Sequence, residues 1–122
     1  MAGNNGGAGG GIHLQVSSLS GSGNISATGG NKLSSSSNGT LGAGGGGRIS
    51  IYSGDVTGFS GQYMVAGGTY NSVSAGAGTV YVKAPNAQYG YLLSDNGGPV
   101  STPGSTPIRG IGRHTITDAK DL

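Results

Sequence analysis

The chain has 122 residues with a net charge of +2, and Gly, Ser, Thr and Asn make up just over half of it. The absence of cysteine excludes disulfides, thiolate metal sites and cysteine nucleophiles, and no apolar run approaches the ~20 residues of a membrane helix, so we expect no membrane insertion. The six basic residues are scattered and form no basic stripe, so we expect no nucleic-acid partner.

Short stretches of alternating apolar and polar residues recur along the chain, each after a glycine-rich or small-residue lead, which is typical of β-strands. In chain order they span residues 12–16, 49–52, 80–82 and, more weakly, 115–117. Aligning them on Leu14, Ile51, Val82 and Ile116 gives intervals of 37, 31 and 34 residues. The chain is therefore predicted to consist of repeated units.

A second strand-like stretch occupies the matching place in each of the first three units. These stretches open on a glycine, close on paired glycines and span residues 23–30, 61–68 and 90–98. No stretch of ten residues carries an apolar stripe with helical period, and Gly and β-branched residues both oppose helix. We therefore expect an all-β protein.

A parallel β-solenoid of about three coils and a partial fourth is the predicted architecture, with Gly/Ser-rich loops on one side. One unit offers too few inward apolar side chains to offset a backbone entropy of ~1–2 kcal/mol per residue, so the units must stack. The solenoid is expected over 9–117, after a flexible N-terminal or expression-derived segment, 1–8, and before a C-terminal tail, 118–122. An antiparallel sandwich is the alternative, because strands at this spacing also fit one.

The core is expected to be formed by inward apolar residues of these strands, with small residues such as Ala27 and Ala66 in the tightest places. The predicted core residues are Ile12, Leu14, Ile25, Ile49, Ile51, Tyr63, Val65, Val80, Val82, Leu92 and Ile116. Three less regular segments, 31–44, 69–76 and 99–110, are interpreted as loops. The alternative is that they form a ligand-binding face, which repeat proteins often place on one side of the stack.

Several motifs combine glycine leads with alternating strands: GGGIHLQV, LSGSGNISATGGN, GGGGRISIY, FSG and GAGTVYVK. Over roughly residues 6–117 this pattern resembles repeat modules of very large exported bacterial surface proteins, of the adhesin-like, right-handed β-helix kind. The resemblance implies a non-catalytic structural or display module, extracellular or at the cell surface, with no cofactor. Its implied partners are neighbouring coils of a longer chain, with end-to-end self-association through exposed strand edges.

Residues for catalysis are few. His13 and His114 fall in the first and fourth units and cannot meet if the units stack in order, so no metal site is expected. Asp55 and Asp95 both follow strand ends, where turn formation explains them better than the facing carboxylates of a glycosidase. We therefore expect no enzyme activity.

Related β-helices occur in polysaccharide lyases and phage tailspikes, so a polysaccharide-degrading enzyme is a more distant alternative. Such an enzyme would use a basic residue beside clustered acidic ligands. Arg48 and Lys83 stand near the ends of equivalent strands and are expected to share a face. No acidic cluster accompanies them in the sequence.

Tyrosine is the one residue type whose distribution suggests a binding role, because all six lie between residues 52 and 91. The candidate ligand-binding residues are Tyr52, Tyr70, Tyr81 and Tyr89. Aromatic rings beside Asn, Ser and Thr suit a glycan, whose apolar ring face packs on tyrosine. The alternative is a structural ladder of tyrosines on adjacent strands, worth ~0.2–1 kcal/mol per pair.

Overall fold

The computed structural model describes residues 5–32, 42–88 and 90–94, and the backbone of 114–116. All regular structure in these residues is β-strand, without helix, which confirms the all-β prediction. The strands are β1 (Gly11–Ser18), β2 (Asn24–Ser26), β3 (Arg48–Asp55), β4 (Gln62–Met64), β5 (Thr69–Tyr70), β6 (Val73–Ser74), β7 (Thr79–Lys83), β8 (Tyr91–Ser94) and β9 (His114–Ile116).

The equivalent strands of successive units pair in parallel. A five-stranded sheet has the order β1-β3-β7-β8-β9, and its first three strands are parallel. Leu14 lies opposite Ile51, and Ile51 lies opposite Val82, which is the predicted alignment. A second parallel sheet joins β2 to β4 with Ile25 opposite Tyr63. The predicted pairing is therefore confirmed for these five strands.

The core lies between the two parallel sheets. Ile49, Ile51, Val65 and Val80 are at most 1% exposed, and Ala27 packs with them. Partly buried side chains complete the cluster: Ile12, Leu14, Leu19, Ile25, Tyr63, Val82 and Leu93. Alternation along β3 sends every second side chain inward, which is why a sequence poor in apolar residues still builds one core.

The backbone hydrogen bonds of the first unit recur at equivalent residues of the second. Each recurring bond joins two backbone segments that lie at the start or the end of a strand. The pairs are Gly47 N to Ala27 O (2.7 Å) with Gly78 N to Val65 O (2.7 Å), Arg48 N to Gly10 O (2.9 Å) with Thr79 N to Gly47 O (3.0 Å), and Gly30 N to Gly7 O (2.8 Å) with Gly68 N to Gly44 O (2.8 Å). The hydrogen-bonded structure thus starts before Gly9, where the sequence placed the domain boundary.

The third unit departs from the predicted stack after β7. Ala87 N donates to Ala84 O at 3.1 Å and closes a turn with Pro85 and Asn86 at its centre. Proline pre-sets the backbone for this turn position, and asparagine is favoured in turns. The chain reverses, and β8 pairs antiparallel with β7. The prediction that 90–98 follows β4 in parallel is therefore wrong for β8.

This reversal changes which leucine faces the core. Leu93 lies opposite Val80 and packs against the core cluster, whereas Leu92 lies opposite Tyr81 and is buried outside that cluster. Strand β9 then pairs antiparallel with β8, which places Ile116 opposite Leu92. The prediction that Ile116 opens a fourth parallel coil is wrong in the same way, because its strand adjoins β8 instead of β7.

Part of the predicted loop 69–76 is a β-hairpin. Strands β5 and β6 pair antiparallel, and Asn71 and Ser72 between them have φ values of 48° and 63°. Positive φ at both central residues is the type I′ turn that matches the twist of paired strands. Asn31 Oδ1 accepts a 2.8 Å bond from Thr69 N and so ties the hairpin to the first unit. The other two predicted loops lie mainly or wholly outside the described residues.

Replacing Ser72 by glycine is expected to raise the free energy of unfolding by about 0.5–1 kcal/mol, because a side chain at positive φ costs energy that glycine avoids. The measurement is the melting temperature by circular dichroism. Ser26→Gly is the matched control, since Ser26 lies in β2 at negative φ and is expected to be neutral or destabilising. A Ser72→Gly protein no more stable than the wild type would contradict the left-handed turn.

Candidate functional site

The candidate site is the side of the parallel sheet that points away from the core, called here the outward face. Its residues alternate with the buried residues of β3 and its neighbours. The pairing arranges them in three rows across the strands: Arg48 and Thr79; His13, Ser50 and Tyr81; Gln15, Tyr52 and Lys83. Parallel pairing therefore brings basic, aromatic and hydroxyl side chains from three units onto one surface.

Three rings follow one another across this face in a zigzag, because His13 and Tyr81 belong to one row and Tyr52 belongs to the next. The ring centroids of His13 and Tyr52 are 5.5 Å apart, and those of Tyr52 and Tyr81 are 6.1 Å apart in an edge-to-face arrangement. The His13 Nδ1 and the Ser50 Oγ are within hydrogen-bond distance at 2.7 Å. Edge-to-face contact is a favoured aromatic geometry, so the rings hold one another in place while Tyr52 keeps 36% of its surface exposed.

An open groove of about 480 Å³ begins beside these rings, at the amino ends of the three strands. Arg48 and His13, both exposed, supply its nitrogen groups. The remaining lining residues are Gly11, Ile12, Ile49, Ser50, Thr79 and Tyr81. The groove can therefore offer a guanidinium, hydroxyls and one aromatic edge to a ligand.

Gly90, which precedes β8, leaves room for the ring of Tyr81. A side chain at Gly90 would run into that ring, and Gly90 itself is buried. In the sequence this glycine opens a repeat stretch, and its position beside Tyr81 is not predicted there. The signal is present in the sequence only once the reversal at Pro85 is known, because that reversal sets β8 beside β7.

The four candidate tyrosines do not form one group. Tyr52 and Tyr81 meet on the outward face, while Tyr70 lies in β5, and Tyr89 lies outside the described residues. The Lys32 Nζ sits 3.9 Å from the centroid of the Tyr70 ring, and Lys32 is only 8% exposed. A cation over the ring occupies one face of Tyr70, which favours a structural role for this tyrosine.

A second hollow of about 540 Å³ lies under the β5–β6 hairpin. Its lining combines Tyr70, Asn71 and Val73 with small residues from 42–45 and 74–76. The hollow thus carries an apolar, uncharged lining, unlike the groove on the outward face.

Asp55 forms a turn, as the sequence predicted. Its Oδ1 accepts hydrogen bonds from the Thr57 Oγ1 at 2.7 Å and the Thr57 N at 2.8 Å. These bonds favour the ionised carboxylate, so they lower the pKa of Asp55 from its ordinary value of 3.8. Asp95 lies outside the described residues. Within 5–32, 42–88 and 90–94 no second carboxylate side chain faces Asp55, because no other Asp or Glu occurs there.

The Asp55 turn predicts a pH dependence of stability. A depressed pKa in the folded state contributes stability that is present above pH 3.8 and is lost as the pH falls through the lower folded pKa. Asp55→Asn keeps the acceptor oxygen but cannot titrate. We expect the melting temperature of the variant to fall below that of the wild type at pH 6 and to approach it at pH 2. A constant gap at both pH values would refute the assignment.

The two histidines are far apart. His13 belongs to β1 and His114 to β9, at opposite edges of the five-stranded sheet. In the part of the chain that the structure describes, no three His, Cys, Asp or Glu residues are grouped as metal ligands. The same part contains no helix long and apolar enough to cross a membrane.

Comparisons with protein-family models, with curated proteins and with solved structures return no match for this chain.

Proposed function

We propose that the chain is a non-catalytic structural and display module, whose units stack as coils of a parallel β-solenoid in a large secreted or cell-surface protein. The observation that carries this proposal is the recurrence of the same backbone hydrogen bonds at equivalent residues, such as Gly47 N to Ala27 O and Gly78 N to Val65 O. Bonds that recur with the sequence repeat are what a stack of equivalent units requires. The resemblance to repeat modules of adhesin-like surface proteins supports the same function.

Among the described residues, pairing between the first two units extends beyond the parallel sheets. Beyond the two parallel sheets, Gly21 and Phe59 form an isolated parallel bridge, and Lys32 N donates to Thr69 O at 3.2 Å. Each unit thus contacts the next at several places separated along the sequence. These contacts support the proposal that each coil is stabilised by its neighbour and not by its own few apolar residues.

The outer edge of β1 is the proposed docking surface for a neighbouring coil or a second copy of the chain. Strand β1 stands at the edge of its sheet, and none of the described strands pairs with that edge. Ile12 and Leu14 on β1 are only half-buried, whereas Ile49 and Ile51 in the adjoining strand are buried. A further strand would cover both the free backbone groups and these two side chains.

A coil-duplication experiment tests the stacking proposal. A second copy of residues 9–45 is inserted after residue 45. Gly9 of the copy then follows residue 45 in the place of Gly46, which is its equivalent in the pairing register. The chain has no cysteine, so spin labels can be attached uniquely at Gln15→Cys in the first copy and Lys83→Cys. We expect a folded protein whose label separation grows by about 4.8 Å, the spacing of adjacent strands.

The control carries a scrambled insert of the same composition and is expected to give no such uniform increase. A duplicated chain that fails to fold, or one that folds with an unchanged label separation, would overturn the stacked-coil proposal.

Glycan binding is the second candidate function, and the contact between the rings of His13, Tyr52 and Tyr81 favours it. Exposed ring surface beside Ser50 and Thr79 can pack on a sugar ring while the hydroxyls bond to it. A glycan array probed with the wild type and with a Tyr52→Ser, Tyr81→Ser variant tests this candidate. Binding that the variant lacks would support it, and silence across the array would leave the display module alone.

A further inference from the structure

We propose that the outward face binds a linear acidic polysaccharide, a chain of uronate sugars. The basic side chains of the face bind the carboxylates of the sugars, and its aromatic rings pack on the sugar rings. This inference rests on the glycan-binding candidate above and names the ligand class. It starts from the charge of the face. Arg48 and Lys83 lie on it, and His13 adds a ring nitrogen. No carboxylate lies among the outward-facing residues of β1, β3 and β7.

The two cations lie in the first and the last of the three rows of the outward face. Arg48 opens β3 opposite Thr79, and Lys83 closes β7 opposite Tyr52. Thr79 and Lys83 are four residue positions apart, which is about 13 Å along the strand at the usual rise per residue. A ligand that reaches both cations must therefore be extended and carry repeated negative charges.

The groups between the cations select the kind of polyanion. Tyr52 and Tyr81 meet edge to face at 66° and His13 is tilted by 55° from Tyr52, so the rings do not form parallel platforms for successive nucleobases. Ser50, Thr79 and Gln15 supply neutral hydrogen-bonding groups on the same face. Hydroxyl-rich rings with spaced carboxylates match this mixture better than the densely charged backbone of a nucleic acid.

Arg48 is the expected anchor. It is exposed and lines the groove with His13 and Thr79, and a guanidinium binds a carboxylate through two parallel hydrogen bonds. Lys83 serves as a second, less directional charge. Binding is therefore expected to weaken as salt is added, because exposed charges are screened.

The test measures retention on three immobilised probes: polygalacturonate, its neutral methyl ester and a single-stranded oligodeoxynucleotide. The wild type is compared with an Arg48→Gln, Lys83→Gln variant. We expect the wild type to prefer polygalacturonate and the variant to bind it at least about tenfold more weakly, from the loss of charged hydrogen bonds.

The matched control is Gln62→Glu, Asn71→Asp, which changes the net charge by the same amount. Gln62 lies in the other parallel sheet, and Asn71 lies in the hairpin turn, where aspartate tolerates positive φ. This control is expected to retain polygalacturonate as the wild type does. Melting temperatures of both variants establish that each one folds.

The outcomes separate the two levels of the proposal. Equal retention of polygalacturonate and its ester, unchanged by Arg48→Gln, Lys83→Gln, would overturn the acidic ligand while leaving glycan binding in place. Retention of neither carbohydrate would overturn both. Stronger retention of the oligonucleotide than of polygalacturonate, or an equal loss in the matched control, would also overturn the inference.

Discussion

Replacing Gly46 by alanine is expected to lower the free energy of unfolding by about 2–3 kcal/mol, as overpacking of a filled interior does. A Cβ on Gly46 would collide with the carbonyl oxygen of Val65 and approach Gly78 N. That carbonyl accepts the 2.7 Å bond from Gly78 N, so it cannot withdraw without weakening a contact between units. Gly9 faces the carbonyl of Ala27 in the same way, so the close approach is a property of the repeat.

Gly10→Ala is the matched control for Gly46→Ala. A Cβ on Gly10 would meet no atom within 4 Å, and its φ is not positive. Alanine at such a position is expected to be neutral or slightly stabilising, because it reduces the freedom of the unfolded chain. Thermal and urea unfolding of both variants provide the measurement. An equal loss of stability in the two proteins would show that close packing of backbones is not the cause.

The register of the parallel sheets could be predicted from the sequence. Leu14, Ile51 and Val82 align because each stands in the middle of an alternating stretch with one face buried, and a slip of one residue would expose that whole face. Paired glycines fixed the second alignment, which places Ala27 at the position of Val65. Ala27 and Val65 are both buried as predicted, whereas Ala66, which was also predicted for the interior, is only half-buried.

The path of the third unit could not be predicted from periodicity. The stretch that opens with Gly90, Tyr91 and Leu92 matches its predecessors in composition, yet β8 runs antiparallel to β7. A turn at Pro85 and Asn86 decides the direction, and the turn is a local feature outside the alternating pattern. The hairpin at Asn71 was harder to foresee, because it lacks the glycine that usually follows asparagine in such turns.

The candidate site was predicted in part. Sequence reasoning placed Tyr52 and Tyr81 on neighbouring strands, and the structure brings their rings into contact. It did not pair Lys32 with Tyr70, although extending the alignment of the paired glycines by two residues places them opposite each other. That signal was available, because a register fixed over one strand continues into the residues that follow it. The contact of His13 with Tyr52 follows from the other register, in which Leu14, Ile51 and Val82 align.

Replacing Ile51 by alanine is expected to cost about 4 kcal/mol, within the range of 2–5 kcal/mol seen for large-to-small changes in cores. Ile51 is fully buried and lies between Leu14 on one neighbouring strand and Val82 on the other. Its removal leaves a cavity that both interfaces share, and close-packed strands can fill it only by shifting toward each other. Urea unfolding, with the slope fitted separately for each protein, measures the loss.

Val16→Ala controls for the loss of a β-branched residue from the same sheet. Val16 is 37% exposed at the far end of β1, so its truncation is expected to cost less than about 1 kcal/mol. If each unit is stabilised only by its nearest neighbours, weakening the middle unit also uncouples the two outer units. The urea-unfolding transition of Ile51→Ala should then broaden. A sharp transition with a loss below 1 kcal/mol would contradict a core that depends on β3, since β1 and β7 are joined in the sheet only through that strand.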